Sequence, residues 1–233
     1  MAGRFKGLLF DKDGTLYDFH GTWARWCVDL LDDLTKGDEA HMQRLADALR
    51  FDLPTERYHP DSPVIAGTPD EAVVAMLPHL PRWTATDLRA YVIEASNHAP
   101  LAEATPLVPL LTGLRDVGYV LGVSTNDAEE PASQQLVQSG VRDLFSFIAG
   151  YDSGYGAKPA PGMQQGFCTF TGLPEAETVM IGDSLHDLEA GRAAGMATVA
   201  VLTGPAPRAV LSPRADVVLD SIADLPRWLA TQT

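Results

Sequence analysis

Six short, largely uninterrupted apolar runs constrain this chain most: 7–10, 119–124, 145–149, 178–181, 198–202 and 217–219. A strand with one wet face alternates apolar and polar residues, whereas a strand covered on both faces need not. These runs therefore read as strands buried on both sides. Helix signals separate the later ones. Thr105-Pro106 opens a helix and Gly118 follows its end. Asp127, with Glu130 three residues on, reads as an acidic capping box, and Gly140 closes that helix. Ser184 caps a helix that runs to Ala194, with Gly195 as its stop. From about residue 105 onward helix and strand alternate. That pattern predicts an α/β fold, a doubly wound, Rossmann-like parallel sheet with right-handed crossovers.

Residues 18–100 differ. They hold no convincing strand run, and Leu30, Leu31 and Leu34, then Leu45, Ala48 and Leu49, recur at helical spacing. Thr68-Pro69-Asp70-Glu71 is a helix start, and Thr84 or Thr86 begins another helix through Tyr91 to Ser96. The expected organisation is a core of residues 1–17 and 101–233, with a helical cap, 18–100, inserted after the first strand. The linkers fall near 17–22 and 97–105.

Composition narrows the partners. The formal net charge of -14 repels nucleic-acid backbones, so nucleic acid is not an expected partner. Cys27 and Cys168 are the two cysteines, too few for a disulfide scaffold. Residues 1–10 are too short and too charged for a signal peptide. No run approaches about 18 apolar residues, so no membrane span is expected and the expected location is the cytoplasm. Oligomeric state is not legible.

The chemistry sits where the runs end. The first ends in Asp11-Lys12-Asp13-Gly14-Thr15-Leu16. Ligands of open α/β sheets bind at this carboxyl edge. Asp11 and Asp13, two residues apart, tend to face one way, with Lys12 pointing elsewhere, outward from the site. Two adjacent carboxylates repel unless a cation or shared proton relieves them. The second run ends in Ser124-Thr125-Asn126-Asp127, a cluster of neutral donors before a helix. The third is followed by Lys158 in a Pro/Gly-stiffened loop, in a chain with only four lysines. The fourth ends in Gly182-Asp183-Ser184-Leu185-His186-Asp187. Asp183 with the Asp11 pair makes three carboxylates, which suit a hard ion such as Mg²⁺. Each motif alone has a plainer reading as a turn or a helix cap.

Taken in order, the four motifs resemble the signature set of the haloacid dehalogenase superfamily, over nearly all of the core from Asp11 to Asp187. The opening motif and the segment from Gly182 to Gly191 most resemble its phosphoglycolate phosphatase-like branch. Most members carry an aromatic or aliphatic residue where Lys12 stands. The resemblance implies an Mg²⁺-dependent hydrolase of a small phosphomonoester metabolite, with phosphoglycolate the first candidate. It implies Asp11 as the nucleophile that forms an aspartyl-phosphate, and Asp13 as general acid, then base. It further implies Mg²⁺ held by the Asp11 carboxylate, the Asp13 backbone carbonyl and Asp183, with Asp187 behind them. Thr125 and Asn126 would bind phosphate oxygens, and Lys158 would neutralise the phosphoryl group. The cap would close over the site, with His20, Thr22 and Arg25 as candidate substrate contacts. Trp23 and Trp26 read as core. A sugar-phosphate mutase of the β-phosphoglucomutase type fits the same motifs, and a non-catalytic binding protein on this fold is a further alternative.

Overall fold

The computed structural model describes residues 4–65 and 67–232. β1 (Gly7–Phe10) opens the core. The insertion follows as α1 (Phe19–Thr35), α2 (Glu39–Ala48), β2 (Phe51–Asp52), β3 (Arg57–Tyr58), α3 (Pro69–Met76) and α4 (Ala85–Asn97). The chain then returns through α5 (Leu107–Asp116), β4 (Val120–Ser124), α6 (Glu129–Gln138), β5 (Phe147–Ala149) and α7 (Gly162–Thr171). It ends with β6 (Thr178–Gly182), α8 (Leu185–Ala194), β7 (Ala197–Val201), α9 (Arg208–Leu211), β8 (Val217–Leu219) and α10 (Leu225–Leu229).

All six apolar runs form strands of one sheet, ordered β5-β4-β1-β6-β7-β8, with every pairing parallel. After β5 the chain crosses over β1 to build the other half. The strand order therefore reverses at β1, the crevice where such sheets bind ligands. The continuous apolar runs reflect burial on both faces: Leu8, Phe10, Val123 and Ile181 pack with Leu107, Leu111 and Leu136, while Leu9 and Met180 pack with Met163 and Phe167. Each such side chain contributes about 1.5–3 kcal/mol by leaving water.

The helical insertion gathers its own apolar cluster, including Leu31, Leu45, Phe51, Tyr58, Met76 and Leu88. The two linkers run side by side: Asp18 N–H donates to the Ala102 carbonyl at 2.7 Å, and Ala104 N–H to the Leu16 carbonyl at 2.9 Å.

Two local expectations need correction. The insertion contains a small antiparallel hairpin, β2 with β3, where no strand was expected. With two residues per strand, it leaves no periodic signal. Asp127 does not cap α6. Ala128 holds the N-cap position, and the Asp127 carboxylate accepts from the Ala128 N–H at 2.8 Å. α8 does start on a Ser184 capping box with Asp187, and Gly195, at φ 87°, ends it. Among the described residues no helix is long and apolar enough to cross a membrane.

Candidate active site

Four strand ends converge on the crevice beside β1. The Asp11 N–H donates to the Ile181 carbonyl at 2.8 Å, tying the loop after β1 to β6. The Thr125 N–H donates to the Ala149 carbonyl at 2.9 Å, tying the loop after β4 to β5. Asn126 clamps the Lys158 loop from both sides: its Oδ1 accepts from Lys158 N–H at 2.8 Å and its Nδ2 donates to the Lys158 carbonyl at 3.0 Å. The backbone thereby aims a lysine from beyond β5 at the end of β1. Lys158 Nζ donates to Asp11 Oδ1 and Asp187 Oδ1, both at 2.6 Å, and to the Ser124 carbonyl at 2.8 Å.

Asp183 completes the cluster. Oxygen atoms of Asp11, Asp183 and Asp187 lie within 4.8 Å of one another, and all three residues are buried. Glycines make the room. A Cβ on Gly204 would lie 1.7 Å from Asp183 Oδ2, and one on Gly14 would lie 2.4 Å from Asp183 Cγ. Gly14 also has φ +84°, which disfavours any other residue.

Three carboxylates here face one ammonium. Burial pushes the Asp11 carboxyl up to about 7, opposed by Lys158 and reinforced by Asp187. Burial, then Asp11 and Asp187, raise Asp183 well above the ordinary carboxylate range. Burial disfavours the Lys158 charge, but Asp11 and Asp187 outweigh it and the net shift is upward. One lysine does not balance the site. Clustered carboxylate oxygens with unrelieved negative charge are what a small divalent cation binds, so the residues present fit Mg²⁺. Asp187 is already committed: Oδ1 to Lys158, Oδ2 to Ser184 N–H at 3.1 Å and Ser184 Oγ at 2.6 Å. Asp11 and Asp183 are the freer carboxylates.

Lys12 corrects the sequence reading. It does not point outward but is fully buried. Its Nζ donates to Asp13 Oδ1 at 2.8 Å and Gln135 Oε1 at 2.5 Å, and it lies 2.7 Å from Asp13 Oδ2 and 3.2 Å from Asp127 Oδ2. The Trp23 ring centroid is 5.3 Å away. Burial disfavours the charge, but Asp13 and Asp127 outweigh it, so the Lys12 pKa rises. Asp13 Oδ1 also accepts from Trp23 Nε1 at 2.8 Å, a direct link from the insertion to a core acid.

A cavity of about 100 Å³ lies between the sheet edge and the insertion. Asp11, Asp13, Thr125, Asn126, Lys158 and Asp183 all line it. Ser124 does not; its hydroxyl is buried against Met180 Sδ. His20, Thr22 and Arg25 are absent from the lining. Thr22 is buried, accepting from Ala102 N–H at 3.1 Å. Arg25 is exposed and paired with Asp29 at 2.6 Å. His20 is half-buried, its pKa lowered by burial and Arg57. The side chains of α1 that do line the cavity are Phe19, Trp23, Trp26 and Leu30. Their 4-3-4 spacing was a visible helical stripe, but such a stripe in sequence cannot distinguish a core face from a cavity wall. Ser184 and His186 also line the cavity.

A doubly wound parallel sheet, with an acid cluster and a lysine at its carboxyl edge and helices inserted after its first strand, defines the class of protein. Residues 8–201 match the haloacid dehalogenase-like hydrolase family, and the chain belongs to it. A phosphoglycolate phosphatase of Rhodospirillum rubrum is 30% identical over 230 residues, covering 96% of this chain and 90% of that protein. One from Chromobacterium violaceum is 38% identical over 112 residues, covering 48% of this chain and 50% of the relative. That match therefore spans about half the length of the curated relative. A predicted phosphoglycolate phosphatase from Haemophilus somnus has a similar structure, with TM-score 0.70, 22% identity and coverage of 98% and 99% of the two chains. CbbY from Rhodobacter sphaeroides, solved with phosphate, gives TM-score 0.68 at 20% identity over 95% and 96%. The last two likenesses are of fold.

Proposed function

We propose that this chain is an Mg²⁺-dependent phosphatase of a small phosphomonoester, acting through an aspartyl-phosphate on Asp11. The observation that carries the reading is Lys158 Nζ held 2.6 Å from both Asp11 and Asp187, beside buried Asp183, on the cavity floor. The core is taken as residues 1–17 and 101–233 and the cap as 18–100, in line with their separate apolar clusters.

Asp11 attacks phosphorus as the bond to the leaving oxygen breaks, and Asp13 passes its proton to that oxygen. Asp13 then takes a proton from water, which attacks the acyl phosphate and frees Asp11. Thr125 and Asn126 line the phosphoryl end, and Lys158 offsets its charge. Asp11, Asp183 and the Asp13 backbone carbonyl would hold Mg²⁺, with Asp187 orienting Lys158. The ion supplies positive charge that lowers repulsion between an anionic nucleophile and an anionic phosphate.

The relatives' names make phosphoglycolate the reference substrate. The test is phosphate release from a panel of phosphomonoesters with Mg²⁺, with EDTA and with Asp11→Asn. The expected result is metal-dependent release that the substitution abolishes. Isomerised sugar phosphate without free phosphate would contradict a phosphatase.

A further inference from the structure

We propose that Lys12 and Trp23 are positioning residues for Asp13: together they fix its carboxylate and balance the charge it gains on giving up a proton. The proposal rests on the phosphatase reading, in which Asp13 protonates the leaving oxygen. Lys12 cannot touch a bound ester, because its side chain has no exposed surface and does not line the cavity. An ammonium has three N–H donors, and the partners of this one are all protein: Asp13, Gln135 Oε1 at 2.5 Å and Asp127 Oδ2 at 3.2 Å. Trp23 does line the cavity, but its one polar atom is committed. Its Nε1 donates to Asp13 Oδ1 at 2.8 Å, the same oxygen that accepts from Lys12 Nζ at 2.8 Å. Lys12 Nζ also lies 2.7 Å from Asp13 Oδ2. The carboxylate is therefore held from two directions, and turning it about its Cβ–Cγ bond would break both contacts at Oδ1.

The two donors come from different parts of the fold. Lys12 belongs to the loop after β1, and Trp23 to α1 of the insertion. A second tie runs the same way. Gln135 of α6 accepts from Lys12 through Oε1 and donates from Nε2 to the Ser96 carbonyl of α4 at 2.9 Å. The Lys12 ammonium is thus linked to α1 through Asp13 and Trp23, and to α4 through Gln135. The insertion that walls the cavity also completes the grip on the acid.

This grip has a chemical consequence. As Asp13 protonates the leaving oxygen, the carboxyl O–H bond breaks, an O–H bond forms on the alcohol, and negative charge is left on Asp13. That side chain is only 18% exposed, so water screens the charge poorly. An ammonium and an indole N–H already in place stabilise it without reorganising. The benefit exists only where the leaving group needs the proton. An alkoxide needs it; a nitrophenolate departs without it.

The test is kcat/KM in Mg²⁺ for 4-nitrobenzyl phosphate and 4-nitrophenyl phosphate, esters of similar shape whose leaving oxygens differ in their need for a proton. The quantity read is the quotient, benzyl over phenyl, which cancels a general loss of folded enzyme or of binding. Trp23→Phe keeps a ring and removes the donor, and should lower the quotient about tenfold. Lys12→Met should lower it at least as far. Because Lys12→Met strands two buried carboxylates, the more conservative Trp23→Phe decides the test. In an Asp13→Asn background, adding Trp23→Phe should change the quotient by less than about twofold, since both act through one carboxylate. A quotient unchanged by Trp23→Phe would overturn the inference, whether the two rates fall together or not at all. So would an undiminished tenfold fall in the Asp13→Asn background. Failure of the phosphatase reading shows separately, as no Mg²⁺-dependent phosphate release from either ester or from phosphoglycolate by the wild type, and takes the inference with it.

Discussion

Lys12 shows what a single residue adds to this site. It is a buried ammonium between Asp13 and Asp127, and its loss leaves both carboxylates without a counter-charge. Lys12→Met should therefore destabilise the protein by about 3 kcal/mol, measured by denaturant unfolding, because breaking a buried pair strands its partners. Arg25→Ala should leave both stability and kcat/KM unchanged, since Arg25 pairs with Asp29 in solvent. The sequence pointed the other way on Lys12 for a definable reason. Strand alternation was carried past Phe10, where β1 has ended and side-chain direction no longer alternates. Asp11, Asp13 and Asp183 were legible as candidates because each lies within three residues of the end of an apolar run. Lys158 was legible only through its rarity and its loop; the reciprocal Asn126 clamp that aims it joins residues too far apart in sequence to be foreseen.

At the scale of elements, the acid cluster depends on how closely loops approach. The loop after β7 brings Gly204 against Asp183, and Thr203 Oγ1 donates to the Gly14 carbonyl at 2.7 Å. Gly204→Ala should displace the Asp183 carboxylate and weaken Mg²⁺ binding about tenfold or more in a calorimetric titration, with circular dichroism unchanged. The sheet was readable because six both-face-buried strands write continuous apolar runs. The β2–β3 hairpin was not, because two-residue strands have no period. The stripe on α1 was readable as apolar. That Trp23 and Trp26 face a cavity was not, because this depends on the tertiary arrangement between α1 and the sheet edge.

At the scale of the whole molecule, the apolar clusters of the sheet and of the insertion flank a cavity lined by Asp11, Asp13, Asp127 and Asp183, and charge couples that cavity to pH. The Asp11 carboxyl, pushed up to about 7 by burial, is raised above its unfolded value, as is that of Asp183. The folded state thus binds these protons more tightly than the unfolded one. The stabilisation is present below the unfolded pKa and is lost, in metal-free protein, as pH rises through about 7. Because Mg²⁺ competes with those protons, its addition should raise Tm more at pH 8 than at pH 5.5, as differential scanning calorimetry can check. A larger metal effect at the lower pH would contradict this arrangement of charge.

The central claim is that Asp11 becomes covalently phosphorylated. Hydroxylamine trapping during turnover, followed by peptide mass analysis, tests it most directly. The account predicts an Mg²⁺-dependent hydroxamate on the Asp11 side chain, absent from Asp11→Asn. Sustained phosphate release with Asp11 unlabelled, or release that survives Asp11→Asn, would contradict it.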